Sequence, residues 1–308
     1  MNRKSAFLTT TMGVCLTAMV CCALWGSAFP CIKIGYQLFQ IDGNDISSQL
    51  LFAGCRFTLA GLLTILIGSL MNRRPLIPRK TSWIRIAKLS LFQTVIQYLF
   101  FYVGLAHTTG VKASIIEASN VFVAILIASL IFRQEKLDKH KIIGCIAGFA
   151  GVVLININQS GLDMSLSLTG EGFILLSTIA YAVSSVLIKI YSREDNPVML
   201  SGWQFLLGGI IMILCGYLTG GSVSVWTAPS ISMLFYLAAV SAVAYSLWGI
   251  LLKLNPVSKV AVFGFMNPVF GVILSALLLG EGQQAFGLTA IGALVLVCIG
   301  IYIVNKQQ

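Results

Sequence analysis

The sequence predicts an all-α integral membrane protein in which ten transmembrane helices form two inverted five-helix repeats. Three observations predict it: an apolar composition, an even–odd alternation of basic residues along the chain, and an internal match between the halves. The 308 residues are 57% hydrophobic and only 10% charged, with a mean hydropathy of +0.92. Soluble domains carry about 25% charged residues, so this chain lacks the polar surface needed to stay dispersed in water. Its eight cysteines (Cys15, Cys21, Cys22, Cys31, Cys55, Cys145, Cys215, Cys298) all fall in apolar runs, and none forms a C-x-x-C. They are read as small polarizable helix filler rather than metal ligands or disulfides.

A spanning helix needs about 20 mostly apolar residues, and ten segments meet that condition. The first, 12–33, follows the basic start "MNRK" and has the look of a signal peptide. Further apolar segments follow without a secreted domain, so it is read as the first span. The polar stretch "QIDGNDISSQ" ends it, and the second runs over 49–70. The third, 84–106, begins among Arg85 and Lys88. The fourth, 112–131, opens on Lys112 and carries Glu117. The fifth, 141–157, is short and lined by Gly144, Gly148 and Gly151. A polar linker over 158–169 precedes the second set: 170–190, 198–218, 230–251, 259–278 and 286–304. The chain thus divides into an N-terminus (1–11), a first repeat (12–157), the linker, a second repeat (170–304) and a C-terminus (305–308).

The even-numbered connections and both ends hold seventeen of the twenty Lys and Arg residues, whereas the odd connections hold only Lys112; Lys33 and Arg56 lie within helices. By the positive-inside rule both termini are cytoplasmic, in an inner (plasma) membrane crossed many times. The net charge of +10 is therefore topological and does not indicate nucleic-acid binding.

The halves align. Tyr98–Asn120 matches Tyr245–Asn267 without a gap at an offset of 147, bringing Lys112 onto Lys259. "CRFTLAGLL" (Cys55–Leu63) matches "WQFLLGGII" (Trp203–Ile211) at an offset of 148, with Arg56 on Gln204, Phe57 on Phe205 and Gly61 on Gly209. Trp25 and Lys33 match Tyr181 and Lys189, and Glu135 recurs as Glu281. Five helices is an odd number, so the second half enters the membrane inverted relative to the first. That architecture belongs to transporters, in which exchanging the conformations of two halves turns an outward-facing state into an inward-facing one.

"LWGSAFPCIKIG" (Leu24–Gly35), Asn120–Val153, and Asn267–Pro268 with "LLLGEGQQAFGLTAIGALVLVCIGIYIV" together resemble EamA-type transporters of the drug/metabolite transporter superfamily, over about residues 12–304. The resemblance implies a basket of two inverted five-helix repeats around a central cavity. It further implies secondary transport of small metabolites, amino acids among them, with efflux as the first expectation. An uptake permease or a facilitative, channel-like pore is the alternative. The family often has Pro where this chain has Val121, which weakens a helix break there; Pro268 keeps the equivalent position.

Charges at bilayer depth are costly, about 2.5–3.5 kcal/mol on an insertion scale, and normally face protein or water. With 1.5 Å of rise per residue, Arg56 and Glu117 fall at similar depth in the outer half, so the two are expected to interact, directly or through water. The pair is either static, or opens to bind a charged substrate or a proton, with Glu117 as the candidate for proton coupling. The Arg56 guanidinium suits a substrate carboxylate. Candidate cavity-lining residues are Trp25, Arg56, Tyr98, Tyr102, Glu117, Asn120, Tyr181, Gln204, Tyr245 and Asn267: aromatic walls with a few polar groups describe a small-molecule pocket. Core packing is the competing account of the aromatics, and interhelical hydrogen bonding that of Asn120 and Asn267, which are expected to approach each other at the cavity floor. Lys112, Lys259 and Lys33 are read as snorkelling, with a pair of gate charges as the alternative for the first two. His107 is read as an interfacial polar residue. Pro30 and Pro268 are candidate kinks. No Walker loop, H-E-x-x-H or hydrolase elbow is present, so no enzyme activity, cofactor or metal is expected. The expected partners are a small-molecule substrate and the lipid bilayer.

Overall fold

A computed structural model of the chain describes residues 6–108, 113, 116–157, 167–279 and 288–306. Lys112 and Glu281, singled out above, lie outside the described residues, as does most of the linker.

Among the described residues the chain forms helices joined by loops, with no strand. Helix α1 (Thr11–Phe39) starts where the Thr10 hydroxyl accepts the Gly13 amide at 3.1 Å, and ends on Gln40 at φ 55°. Helix α2 (Ile46–Asn72) is capped by Asp45, whose carboxylate accepts the Ser48 amide at 3.0 Å. Helix α3 (Ser82–Ala106) contains a π-helical stretch, Leu91–Ile96. Then come α4 (Ile116–Ile131), α5 (Lys139–Ile157) and α6 (Leu168–Tyr191). Asn196 caps α7 (Pro197–Leu218), which has proline in its first turn, where a missing amide costs nothing. A Thr227–Ser230 capping box opens α8 (Ala228–Leu254). Helix α9 passes from Val257–Ala261 through a 3-10 turn, Val262–Phe265, into Met266–Leu279, and α10 is Leu288–Asn305. Six of these, α1, α2, α3, α6, α7 and α8, are long and apolar enough to cross a membrane, and shorter apolar helices accompany them.

Helix α1 outruns its expected end at residue 33 because Lys33 is exposed, so the charge that closes the apolar run does not close the helix. Pro30 lies inside α1 without ending it. The apolar character is turned outward as well as inward. Leu62, Leu66 and Leu70 on α2, and Ile291, Val295, Ile299 and Tyr302 on α10, are all exposed. A helix hydrophobic on every side belongs in lipid.

Packing follows a regular scheme. Helix α2 lies along α7, and α5 along α10; α1 packs on α8 and α9, as α6 packs on α3 and α4. The α2–α7 crossing is built on small residues. A Cβ on Gly61 would come 2.5 Å from the Leu206 amide nitrogen, and one on Gly54 would come 2.5 Å from that of Ile213. In lipid, where apolar burial between helices gains little, such close backbone approach supplies the packing energy. Gly144 and Gly148 do the same against Gly300. All eight cysteines are free thiols, and Cys21 and Cys22 donate to the carbonyls of Ala244 and Phe263.

The connections rich in basic residues meet at one end. Arg85 bridges Asp195 at 2.7 Å and Glu194 at 2.5 Å, Ser82 donates to Asp195 at 2.8 Å, and Arg79 reaches the same carboxylate at 3.3 Å. Burial opposes the Asp195 charge, but the hydrogen bonds from Arg85, Ser82 and Arg79 outweigh it and hold the carboxyl below its usual range. Beside this clasp, Glu135 pairs with Lys141 at 2.8 Å and accepts the Ser258 amide at 3.0 Å together with its hydroxyl. Lys189 donates to the Leu252 and Asn255 carbonyls. Lys259, expected to snorkel, is instead buried and donates to the Thr9 carbonyl at 3.2 Å, because the residues before α1 fold across it and are held there by Asn255 donating to Leu8. At the opposite end, Ser47 reaches the Thr219 carbonyl, Ser48 accepts the Ser222 amide, and Thr108 donates to Glu171. His107 is exposed there, its Nδ1 2.8 Å from the Val103 carbonyl.

Candidate functional site

Midway between these ends, side chains from both halves converge. The Tyr98 hydroxyl on α3 lies 3.2 Å from that of Tyr245 on α8. Phe57 and Phe205 stack beside them, with ring centroids 5.3 Å apart and planes 7° from parallel. Phe57 packs on Tyr98 at 4.5 Å, and Phe205 on Tyr245 at 4.8 Å. Trp25 meets Tyr245 and Trp248 edge-on at 5.1 and 5.0 Å, and Tyr102 lies 6.3 Å from Tyr98. Tyr98, Glu117 and Tyr181 are half-buried. The rings of Trp25, Tyr98, Tyr102 and Tyr245 wall the candidate chamber. Trp25 adds an indole nitrogen with no hydrogen-bond partner among the described residues.

Arg56 is 4% exposed. Its Nε and Nη2 donate to the Ser241 hydroxyl at 3.2 and 2.9 Å, and its guanidinium lies 5.1 Å from the Phe57 ring centroid. A direct Arg56–Glu117 contact is not formed: the guanidinium is taken up by Ser241, and among the described residues no carboxylate lies within ion-pair distance of it. Helix α2 packs on α7, α8 and α3, whereas α4 packs on α6, α9 and α5. Equal depth in the membrane thus did not mean adjacency. Glu117, in turn, has neither an ion pair nor a hydrogen bond with any described residue.

The remaining candidates divide. Gln204 is fully buried and its Oε1 accepts the Thr94 hydroxyl at 2.7 Å, while its Nε2 has no partner among the described residues. Asn120 lies beside α9, where a Cβ on Gly264 would come 3.9 Å from its Oδ1. The Asn267 Oδ1 is likewise buried without a partner, and the two asparagines do not hydrogen-bond to each other. Sequence reasoning missed Ser241, Thr94 and Trp248. A signal for the first two was present: Ser241 and Thr94 correspond at the offset of 147, as Arg56 and Gln204 do at 148. The contacts Arg56–Ser241 and Gln204–Thr94 therefore exchange under the same alignment that exchanges Tyr98 with Tyr245.

Comparison with known proteins places this arrangement. An uncharacterized transporter of Archaeoglobus fulgidus is 30% identical over 292 residues, covering 92% of this chain and 94% of its own. A probable amino-acid metabolite efflux pump of Salmonella typhimurium is 26% identical over 316 residues, covering 98% and 95%. A solved crystal structure superposes with a TM-score of 0.78 at 17% identity over 96% of this chain and 98% of that one, a likeness of fold. The sequence profile of the EamA-like transporter family matches residues 12–157 and again 168–306. The chain is a multi-pass membrane protein and belongs to the EamA-like transporter family.

Proposed function

We propose that this chain is a secondary transporter that exports zwitterionic, amino-acid-like metabolites across the plasma membrane by alternating access. The observation that carries the reading is a buried guanidinium without a counter-carboxylate and a half-buried carboxylate without a cation, both among the described residues, with an aromatic cluster beside the guanidinium. A buried charge is costly unless paired. A ligand carrying both signs, with its carboxylate on Arg56 and its ammonium on Glu117, satisfies the two at once. The fork geometry of arginine suits the first contact. The faces of Trp25, Tyr98 and Tyr245 suit an apolar or aromatic side chain and add attraction for the ammonium. The efflux pump of Salmonella typhimurium supports the substrate class and the direction.

The chamber sits between two antiparallel five-helix halves, with both termini cytoplasmic. Supporting this are the two family matches, the contacts that exchange under the repeat alignment, and the gathering of the basic connections at one end. The clasps at that end hold the cytoplasmic side shut. Export requires that they open, and that the equivalent surfaces of the other half close in their place. Glu117 is the coupling group: it holds the substrate ammonium in one half of the cycle and a proton in the other.

Proteoliposome flux tests the reading. A zwitterionic aromatic or branched amino acid should be carried saturably, and its methyl ester and its deaminated acid at least tenfold more slowly. Equal transport of all three removes the two-charge site and with it the proposal.

A further inference from the structure

Below the chamber, α3 carries a second polar face. Ser90, Gln93, Thr94 and Gln97 recur at helical spacing and are all buried. Opposite them on α7 are Ser201 and Gln204, both fully buried. Thr94 donates to Gln204, and a Cβ on Gly208 would come 2.9 Å from the Ser90 hydroxyl, which fixes the two helices against each other here. Five polar atoms of this group have no hydrogen-bond partner among the described residues: Ser90 Oγ, Gln93 Oε1, Gln97 Oε1, Ser201 Oγ and Gln204 Nε2. The π-helical stretch Leu91–Ile96, a distortion that recurs at functional sites, carries Gln93 and Thr94.

The fold does not require polarity at these positions. The counterparts of Ser90, Gln93, Thr94 and Gln97 at the offset of 147 are Leu237, Val240, Ser241 and Ala244, and three of the four are apolar and buried in the packing of α8. The first half therefore places orphaned amides and hydroxyls where the second half places hydrocarbon. The face also has a direction. Gln97 adjoins Tyr98 of the chamber. On the other side lie Ile86 and Leu89, both fully buried, and then the Ser82–Asp195–Arg85 clasp at the basic end.

We propose that this face is an internal water site forming the inner half of the transport route, with Ile86 and Leu89 as its apolar plug. Water matches the chemistry of the group. It donates to the two amide oxygens, accepts from the Gln204 amide and does either with the serines; buried water typically makes two to four such bonds. The face holds no charged side chain that would trap a zwitterion, so its water solvates both ends of the substrate in passage once the plug parts. This role rests on the transport reading, whereas the water site itself does not.

Two measurements test it. In lipid bilayers, proton-detected solid-state NMR should show polarization transfer from water to the side-chain amide protons of Gln93, Gln97 and Gln204; silence at all three overturns the water site whether or not the protein transports. The double variant Gln93→Leu/Gln97→Leu, patterned on the apolar counterparts in α8, should fold, bind the zwitterion within twofold of the parent, and turn over at least tenfold more slowly. Should the pair misfold, Gln97→Ala, which installs the residue found at its counterpart, serves in its place with the same expected split. Turnover equal to the parent in a folded variant overturns the role in transport. Absence of zwitterion flux in the parent chain, with water transfer intact, would fault the proposed function and leave the water site standing.

Discussion

Arg56 concentrates the chemistry of this protein in one side chain. It is buried, with a hydroxyl and an aromatic face for company. A hydroxyl does not neutralise a guanidinium, and the proposed function fills that need with a negative group that arrives and leaves. Arg56→Lys keeps the charge but loses the fork that grips both carboxylate oxygens; it should weaken zwitterion affinity at least tenfold, read as KM in proteoliposomes. Glu117→Gln removes the matching charge without changing shape, and should reduce transport while leaving a monodisperse, folded protein in detergent. Parental transport in either variant contradicts the two-charge site. At this scale the sequence was legible in part. Composition and bilayer cost picked out both charges, and the repeat picked out the Tyr98–Tyr245 pair. The partner of Arg56 was misjudged because helical rise fixes the depth of a side chain, not the direction it faces around the bundle, and only packing decides that.

Between the helices, the sequence marked the rods well and their ends less well. Segments were placed by where apolar runs stop, but a helix stops where its backbone finds a cap. Thus α1 runs past Lys33 to Phe39, and α3 begins at Ser82, ahead of its charges. The contacts that close the basic end were not legible, since Glu135 and Lys189 stood out only as repeat matches and Lys259 read as snorkelling or a gate charge. In the fold they grip backbone of other helices. Glu135 is the clearest case: its side chain is 8% exposed, its partner Lys141 is 6% exposed, and it also holds the first turn of α9 through Ser258. Removing one partner of a buried pair leaves an uncompensated charge, at a cost of about 3 kcal/mol. Glu135→Ala should therefore lower the melting temperature in detergent by several degrees. An unchanged melting temperature would mean that the clasp carries no load.

Across the whole molecule, the two halves repeat each other's contacts but not each other's chemistry. Arginine of the first half pairs with serine of the second, and glutamine of the second with threonine of the first; where the first half has buried amides, the second has valine and alanine. In the proposed cycle, symmetric contacts let the halves exchange shapes at similar energy, and asymmetric side chains give the proposed route a charged binding centre and a neutral inner passage. The repeat was visible in the sequence because a helix crossing at an axis tolerates little beyond glycine, and because Tyr98 and Tyr245 keep the same register. Its asymmetry needed the contacts. The central claim is the inversion itself, and labelling of single cysteines in intact cells and inside-out vesicles tests it directly. Gly43→Cys and Arg193→Cys follow the first helix of each half. The account predicts that an impermeant reagent reaches Gly43→Cys only from outside the cell and Arg193→Cys only from the cytoplasm; labelling of both from the same side would contradict it.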